Sequence, residues 1–241
     1  MKKLTLTAAA FAMMAGAAMA QDVVRLGTEG AYPPYNFIND AGEVDGFERV
    51  LGDELCKRAA LNCTWVTNDW DSIIPNLVSG NYDVIIAGMS ITPERDEVID
   101  FSDPYTQPDP SAFVAMNGDV DLSTGIIAAQ SGTIQASYVA ADMPGATLLE
   151  FATPEESVAA VRNGEAEAVL ADKAYLEPVA EADGDLTIVG DDVLIGGGIG
   201  LGIRESDTEL KAKFDAAIQS MKADGSLNTL ITDMLPGSAT F

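Results

Sequence analysis

"NLVSGNYDVIIAGMSITPER", residues 76–95, decides the fold class of this 241-residue chain. Apolar residues at 73, 74, 77 and 78 make one face of a short helix that stops at Gly80. "YDVIIAG" is then a buried strand ending in glycine. Thr92 can cap a following helix, with Pro93 at its first position and Glu94, Arg95 and Asp96 in its first turn. Helix, glycine, strand, loop and helix is the grammar of an α/β protein with largely parallel sheets.

The same order recurs downstream. "AVRNGEAEAVLAD" (160–172) superposes without a gap on "NLVSGNYDVIIAG" (76–88), matching Gly80 with Gly164 and Gly88 with Asp172. Two readings stay open: any two such units look alike, or the chain has two similar lobes that offer strand ends to one cleft. Upstream, Val23 to Gly27 is a strand before a turn-rich loop (Gly30, Pro33, Pro34), Phe47 to Ala59 a helix, and Cys63 to Val66 a strand. "TPEESVAAVRNG" carries a capping box of Thr153 and Glu156. The β-like segments Pro110 to Asp119 and Val193 to Asp207 bracket the middle third and are read as crossings between lobes. A long amphipathic helix, a break at Gly225 and a short helix close the chain.

Thirteen basic residues against thirty-eight acidic ones give a net charge of -25. Such a surface repels nucleic acid and anionic membrane, so neither is expected as a partner. With no histidine in the chain, Ser-His-Asp and Cys-His catalysis and most transition-metal sites are excluded. Residues 1–20 read as a signal peptide: Lys2 and Lys3, an apolar run, and the small-x-small site Ala18-Met19-Ala20. Its removal leaves 11 basic and 38 acidic residues, a net charge of -27, and a protein of the Gram-negative periplasm. Cys56, late in a helix, and Cys63, opening a strand, fit a disulfide in an exported protein better than a redox or metal pair.

Arg95 is the odd residue of the opening stretch, because a helix N-terminus already carries partial positive charge. It needs an anion. A local ion pair with Glu94, Asp96 or Glu97 is the safer reading of composition and capping alone. The other is a bound carboxylate gripped by the guanidinium and nearby amides.

"GTEGAYPPYNF", "GFERVLGDELCKRAALNCTW", "NDWDSIIPNLVSGNYDVIIAGMSITPERDEVIDFSDPY", "QSGT" and "ADKAYL", in order, resemble the polar amino-acid family of periplasmic solute-binding proteins of ABC importers. The lysine/arginine/ornithine, histidine and opine binders are the nearest in kind. The resemblance covers almost all of the chain after the signal peptide. It implies a two-lobed α/β fold of the type II periplasmic binding protein kind, with a hinge of two strands and a ligand cleft between lobes. Lobe one would be residues 21–112 and 198–241, and lobe two residues 113–197. It implies a non-catalytic monomer without cofactor or metal, which delivers an amino acid to an inner-membrane permease, a cationic one such as arginine, lysine, ornithine or histidine being favoured over an opine or a neutral polar amino acid.

Site residues carry over by position. Arg95 matches the arginine that takes the ligand α-carboxylate, helped by Ser90 and the amide of Thr133. Asp172 matches the acceptor of the α-ammonium, assisted by carbonyls around Ala87 and Gly88. Tyr32 and Trp70 match an aromatic pair enclosing the ligand side chain, and Glu29 the acid at its far end in binders of cationic amino acids. Cys56 and Cys63 match that subgroup's disulfide. Ala87-Gly88 replaces a pair of serines found in some relatives, and Ile134 stands where a second threonine is common. Periplasmic cyclohexadienyl dehydratases share the scaffold, and Glu29 would be the general acid of such an enzyme.

Overall fold

The computed structural model describes residues 23–241, so the signal-peptide expectation for residues 1–20 lies outside the described residues. In chain order the elements are β1 (Val23–Thr28), β2 (Ala31–Tyr32), β3 (Asn36–Ile38), β4 (Val44–Asp45), α1 (Phe47–Arg58) and β5 (Asn62–Thr67). A 3-10 turn, Trp70–Ser72, leads into α2 (Ile73–Val78), β6 (Val84–Ile85), α3 (Pro93–Asp96) and β7 (Asp100–Phe101). Then come β8 (Ser111–Ala115), β9 (Ile126–Gln130), α4 (Ile134–Asp142), β10 (Thr147–Phe151), α5 (Pro154–Arg162) and β11 (Ala168–Asp172). The chain ends with α6 (Lys173–Ala182), β12 (Thr187–Val193), β13 (Gly202–Ile203), α7 (Thr208–Ala223) and α8 (Ser226–Met234).

Two five-stranded sheets form, in the orders β5-β1-β6-β13-β7 and β10-β9-β11-β8-β12. They correspond position by position. In each, the second strand runs parallel to the first and third, and the fourth is antiparallel to both its neighbours. The sequence echo is therefore architectural: β6 and β11, the strands that carry it, hold the same central place. Gly80 (φ 79°) and Gly164 (φ 75°) end the preceding helices in left-handed conformation, with nothing within 4 Å of an added Cβ. Backbone angle alone requires glycine at both.

The sheets are mixed rather than largely parallel, and the reason is the crossings. β8 enters the second sheet from the first, and β13 returns; each runs back against its neighbours. The first crossing spans residues 102–110 and precedes the expected segment Pro110 to Asp119, because the apolar run "SAFVA" is already the buried strand β8. The second spans residues 194–201, inside the expected segment. Crossings lie side by side: Ser102 N–H donates to Leu201 O at 3.0 Å and Tyr105 N–H to Ile199 O at 2.8 Å. This is the hinge of two strands.

Burial explains the helices better than propensity does. On α1, Phe47, Leu51 and Leu55 are fully buried, and each contributes about 2 kcal/mol by leaving water. They join residues of α7 and α8, including Phe214, Ile218 and Ile231, in one core against β1. Cys56 and Cys63 form the disulfide, with Cα atoms 6.2 Å apart. Thr153 and Glu156 form the capping box of α5. Among the described residues no helix is long and apolar enough to cross a membrane.

Candidate ligand-binding site

The C-terminal ends of the parallel strands in both sheets point at one cleft of about 520 Å³ of empty space, part of it open to solvent. Glu29 follows β1, Trp70 follows β5, and Ala87 and Gly88 follow β6. From the other sheet, Gln130 ends β9 and Asp172 ends β11. Strand ends converge here because parallel strands leave their next loops on one edge. Glu29, Tyr32, Trp70, Ala87, Gly88 and Ser90 all line the cleft, as do Arg95, Thr133 and Asp172. The nine residues singled out from the sequence are thus brought together.

Arg95 sits on α3, which is a single turn; Thr92 caps it, its Oγ1 accepting from Arg95 N–H at 3.3 Å. So short a helix has little dipole to oppose the charge. Among the described residues no ion pair reaches the guanidinium, and Glu94, Asp96 and Glu97 are exposed. The local ion pair, the safer reading of the sequence, does not form. Instead Nη1 donates to Ser90 O at 2.9 Å and Nη2 to Gly132 O at 3.2 Å, with Cζ 5.4 Å from the centre of the Trp70 ring. Burial lowers the Arg95 pKa to about 10, although Asp172 and Glu94 pull it up. A desolvated cation held by carbonyls and an aromatic face remains short of negative charge.

Asp172 is the complementary group. Its Oδ2 accepts from the Tyr32 hydroxyl at 2.9 Å, its Oδ1 from Gln135 Nε2 at 2.9 Å, and its own N–H donates back to the Tyr32 oxygen at 3.0 Å. Gln135 is itself tied to Ser111 Oγ at 3.0 Å. Burial pushes Asp172 up to about 6 despite the Tyr32 bond. Tyr32 also stacks on Tyr175, with ring centres 4.4 Å apart and planes at 14°. Its ring therefore already has one aromatic partner, from α6.

Glu29 faces the same space. Burial pushes its carboxyl up to about 7, a 2.6 Å hydrogen bond from Gln130 Nε2 opposes the shift, and Asp69 and Asp71 add to it. Gln130 Nε2 also donates to Ala152 O at 3.0 Å, which fixes its orientation. Ser131 Oγ donates to Asp71 Oδ1 at 2.9 Å. Thr133 caps α4, accepting from Ala136 N–H and donating to Gln130 O at 2.7 Å.

Residues 24–235 match the sequence pattern of the bacterial extracellular solute-binding proteins, family 3. The chain belongs to that family. This solute-binding protein is 31% identical over 238 residues to the putative ABC transporter arginine-binding protein 2 of Escherichia coli (strain K12), covering 95% of this chain and 97% of the relative. Among solved structures it is similar to a periplasmic His/Glu/Gln/Arg/opine family-binding protein from Silicibacter pomeroyi in complex with lysine. The identity is 68% and the TM-score 0.88, over 90% of this chain and 100% of the other. It is also similar to the ancestral amino acid-binding protein AncCDT-1, a precursor of cyclohexadienyl dehydratase, at 28% identity and TM-score 0.80, over 88% and 95% of the two chains.

Two further residues that line the cleft, Gln130 and Gln135, and Tyr175, which stacks behind Tyr32, carry no role in the sequence reading. Gln130 closes the otherwise apolar strand "IIAAQ", and that lone polar end was its signal. Tyr175 lay inside "ADKAYL". Gln135 has no signal of its own, because only the turn of α4 brings it to Asp172.

Proposed function

We propose that the protein is the periplasmic binding component of an ABC importer and captures an amino acid with a cationic side chain, such as lysine or arginine. One observation carries the reading: Arg95 and Asp172, opposite in sign and delivered by different sheets, line one cleft. An α-amino acid has the same two charges on one carbon. The α-carboxylate would take Arg95 with the Ser90 hydroxyl and the Thr133 amide, and the α-ammonium would take Asp172. Tyr32 and Trp70 would flank the side chain, and Glu29 would meet its cationic tip. Burying these charges is costly unless all are paired, which makes the ligand the condition for a tightly closed cleft.

The sheet-to-sheet crossings at 102–110 and 194–201 support two lobes turning about them, close to the expected 21–112 with 198–241 and 113–197, with Ser111 and Ala112 of β8 going with the second lobe. Removal of residues 1–20 on export, a monomeric state and an inner-membrane permease as partner complete the reading. The lysine complex of the 68% identical structure supports a cationic ligand. Isothermal titration of folded protein with lysine, arginine, ornithine, histidine, glutamine and octopine tests it. Sub-millimolar binding of the basic members is expected, and no heat from any of them at millimolar concentration would overturn it.

A second reading has one observation in its favour. Glu29, with its carboxyl near pH 7, could act as a general acid on a cyclohexadienyl substrate. Incubation with prephenate and arogenate decides this, and formation of the aromatised product would establish it.

A further inference from the structure

Glu48, in the first turn of α1, touches no part of the cleft surface, yet three separate segments that serve the cleft end on its carboxylate. It is wholly buried. Its Oε1 accepts from the Gly88 N–H at 2.6 Å and from the Tyr105 hydroxyl, and its Oε2 from Asn36 Nδ2 at 2.7 Å. All three partners donate to the carboxyl oxygens, and a carboxylate accepts at both of them, while burial raises its pKa.

Each partner has a second task. Gly88 lines the cleft in left-handed conformation (φ 62°), and its N–H is taken up by Glu48. Asn36, also wholly buried, accepts the Gly30 N–H at 2.7 Å and so holds the residue beside Glu29. Tyr105 belongs to the first crossing, and its own N–H binds Ile199 O of the second. A single buried carboxyl group thus joins the wall of the cleft, the loop of the acidic residue and the hinge.

We infer that Glu48 is a positioning residue that couples the hinge to the ligand cleft, holding Gly88 and, through Asn36, Gly30 in register with Tyr105. The inference rests on the proposed binding function for its affinity arm alone. Replacing one carboxylate oxygen by an amide turns an acceptor into a donor facing a donor, and at least one of the three contacts must break. The shape of the side chain is unchanged, so the core around α1 stays filled.

Hydrogen–deuterium exchange on the ligand-free protein, paired with lysine titration, tests this on wild type, Glu48→Gln and Tyr105→Phe. In Glu48→Gln, segments 86–90 and 102–106 should exchange about tenfold faster while 126–130 in the other sheet keeps its rate, and the lysine Kd should rise about tenfold. Tyr105→Phe should speed 102–106 and raise the Kd about threefold. Wild-type rates at both segments in a folded variant would overturn the inference. So would a uniform rise that includes 126–130, or a Kd within about twofold of wild type. If Glu48→Gln fails to fold, Tyr105→Phe decides the matter by its rate at 102–106 and its Kd. If wild type itself takes up no lysine or arginine, the ligand class falls, and the exchange rates alone decide the coupling.

Discussion

Glu29 Oε1 accepts a 2.6 Å hydrogen bond from Gln130 Nε2, a residue 101 positions along the chain and in the other sheet. The pair puts a carboxyl that titrates near pH 7 at the meeting point of both halves. In the unfolded chain the same group titrates near 4.5, so between these values the folded protein holds a proton that the unfolded chain has lost. The stability this brings is complete below about pH 4.5 and is lost as pH rises through 7. Asp172 adds the same sign between 3.8 and about 6. The ligand-free melting temperature should therefore fall from about pH 5 to about pH 7.5. A cation bound beside Glu29 favours its charged form, so lysine affinity should rise over the same interval, by at most about tenfold per pH unit for this group, and level off above 7. Glu29→Gln should flatten both curves between 6 and 7.5 and spare a neutral ligand such as glutamine. Lysine affinity that is level from pH 5.5 to 8 would reject the role.

Arg95 and Asp172 give the sharpest separation of binding from folding. Burial shifts each pKa toward its neutral form despite the attraction between the two groups, so the ligand-free protein bears a desolvation cost at both. Removing either charge relieves that cost. Arg95→Ala and Asp172→Asn should each weaken lysine about 100-fold or more, the worth of two charge-assisted hydrogen bonds, while the ligand-free melting temperature moves by about 2 °C or less. Normal affinity in either variant would refute the assignment of the ligand's two ends.

The elements that carry the cleft were legible from local chemistry, such as a capping threonine before Pro93 and a strand stopped by Gly88, while the roles of Arg95 and Asp172 came from the family resemblance. The echo between 76–88 and 160–172 left two readings open, and the equivalent places of β6 and β11 decide for two similar lobes. What the sequence concealed is long-range. The Tyr32–Asp172 bond joins residues 140 apart, and Gln130 meets Glu29 across the cleft. No periodicity or spacing encodes such contacts, which exist only once two sheets face each other. The first crossing was misplaced for a local reason: "SAFVA" reads equally as a connector or as a fully buried strand, and only its pairing with β11 and β12 distinguishes them.

The disulfide lies at the other end of the same architecture. Cys63 sits at the start of β5, whose far end leads to Trp70, and Cys56 near the end of α1. It closes a loop with a sequence separation of 7, which restricts the unfolded chain by about 2 kcal/mol. Reduction should lower the melting temperature by about 5 °C and change the lysine Kd by less than about twofold. A large loss of affinity on reduction would mean that strain from this end reaches the cleft.

Tyr32→Phe separates the aromatic role of Tyr32 from its hydroxyl. The ring remains stacked on Tyr175, but Asp172 loses a donor that holds its pKa down. Asp172 should then keep its proton to higher pH, and a protonated Asp172 cannot take an ammonium as an ion pair. The acid limb of the lysine affinity profile should shift upward from about 6 by roughly one pH unit. At pH 8, where the carboxylate is charged in either form, affinity should stay within about threefold of wild type. A uniform loss at all pH values would assign the hydroxyl to direct ligand contact, and an unmoved acid limb would show that it does not govern Asp172. Combined with Glu29→Gln, which removes the carboxyl near 7 that faces the same cleft, the shifted limb can be read without overlap from Glu29.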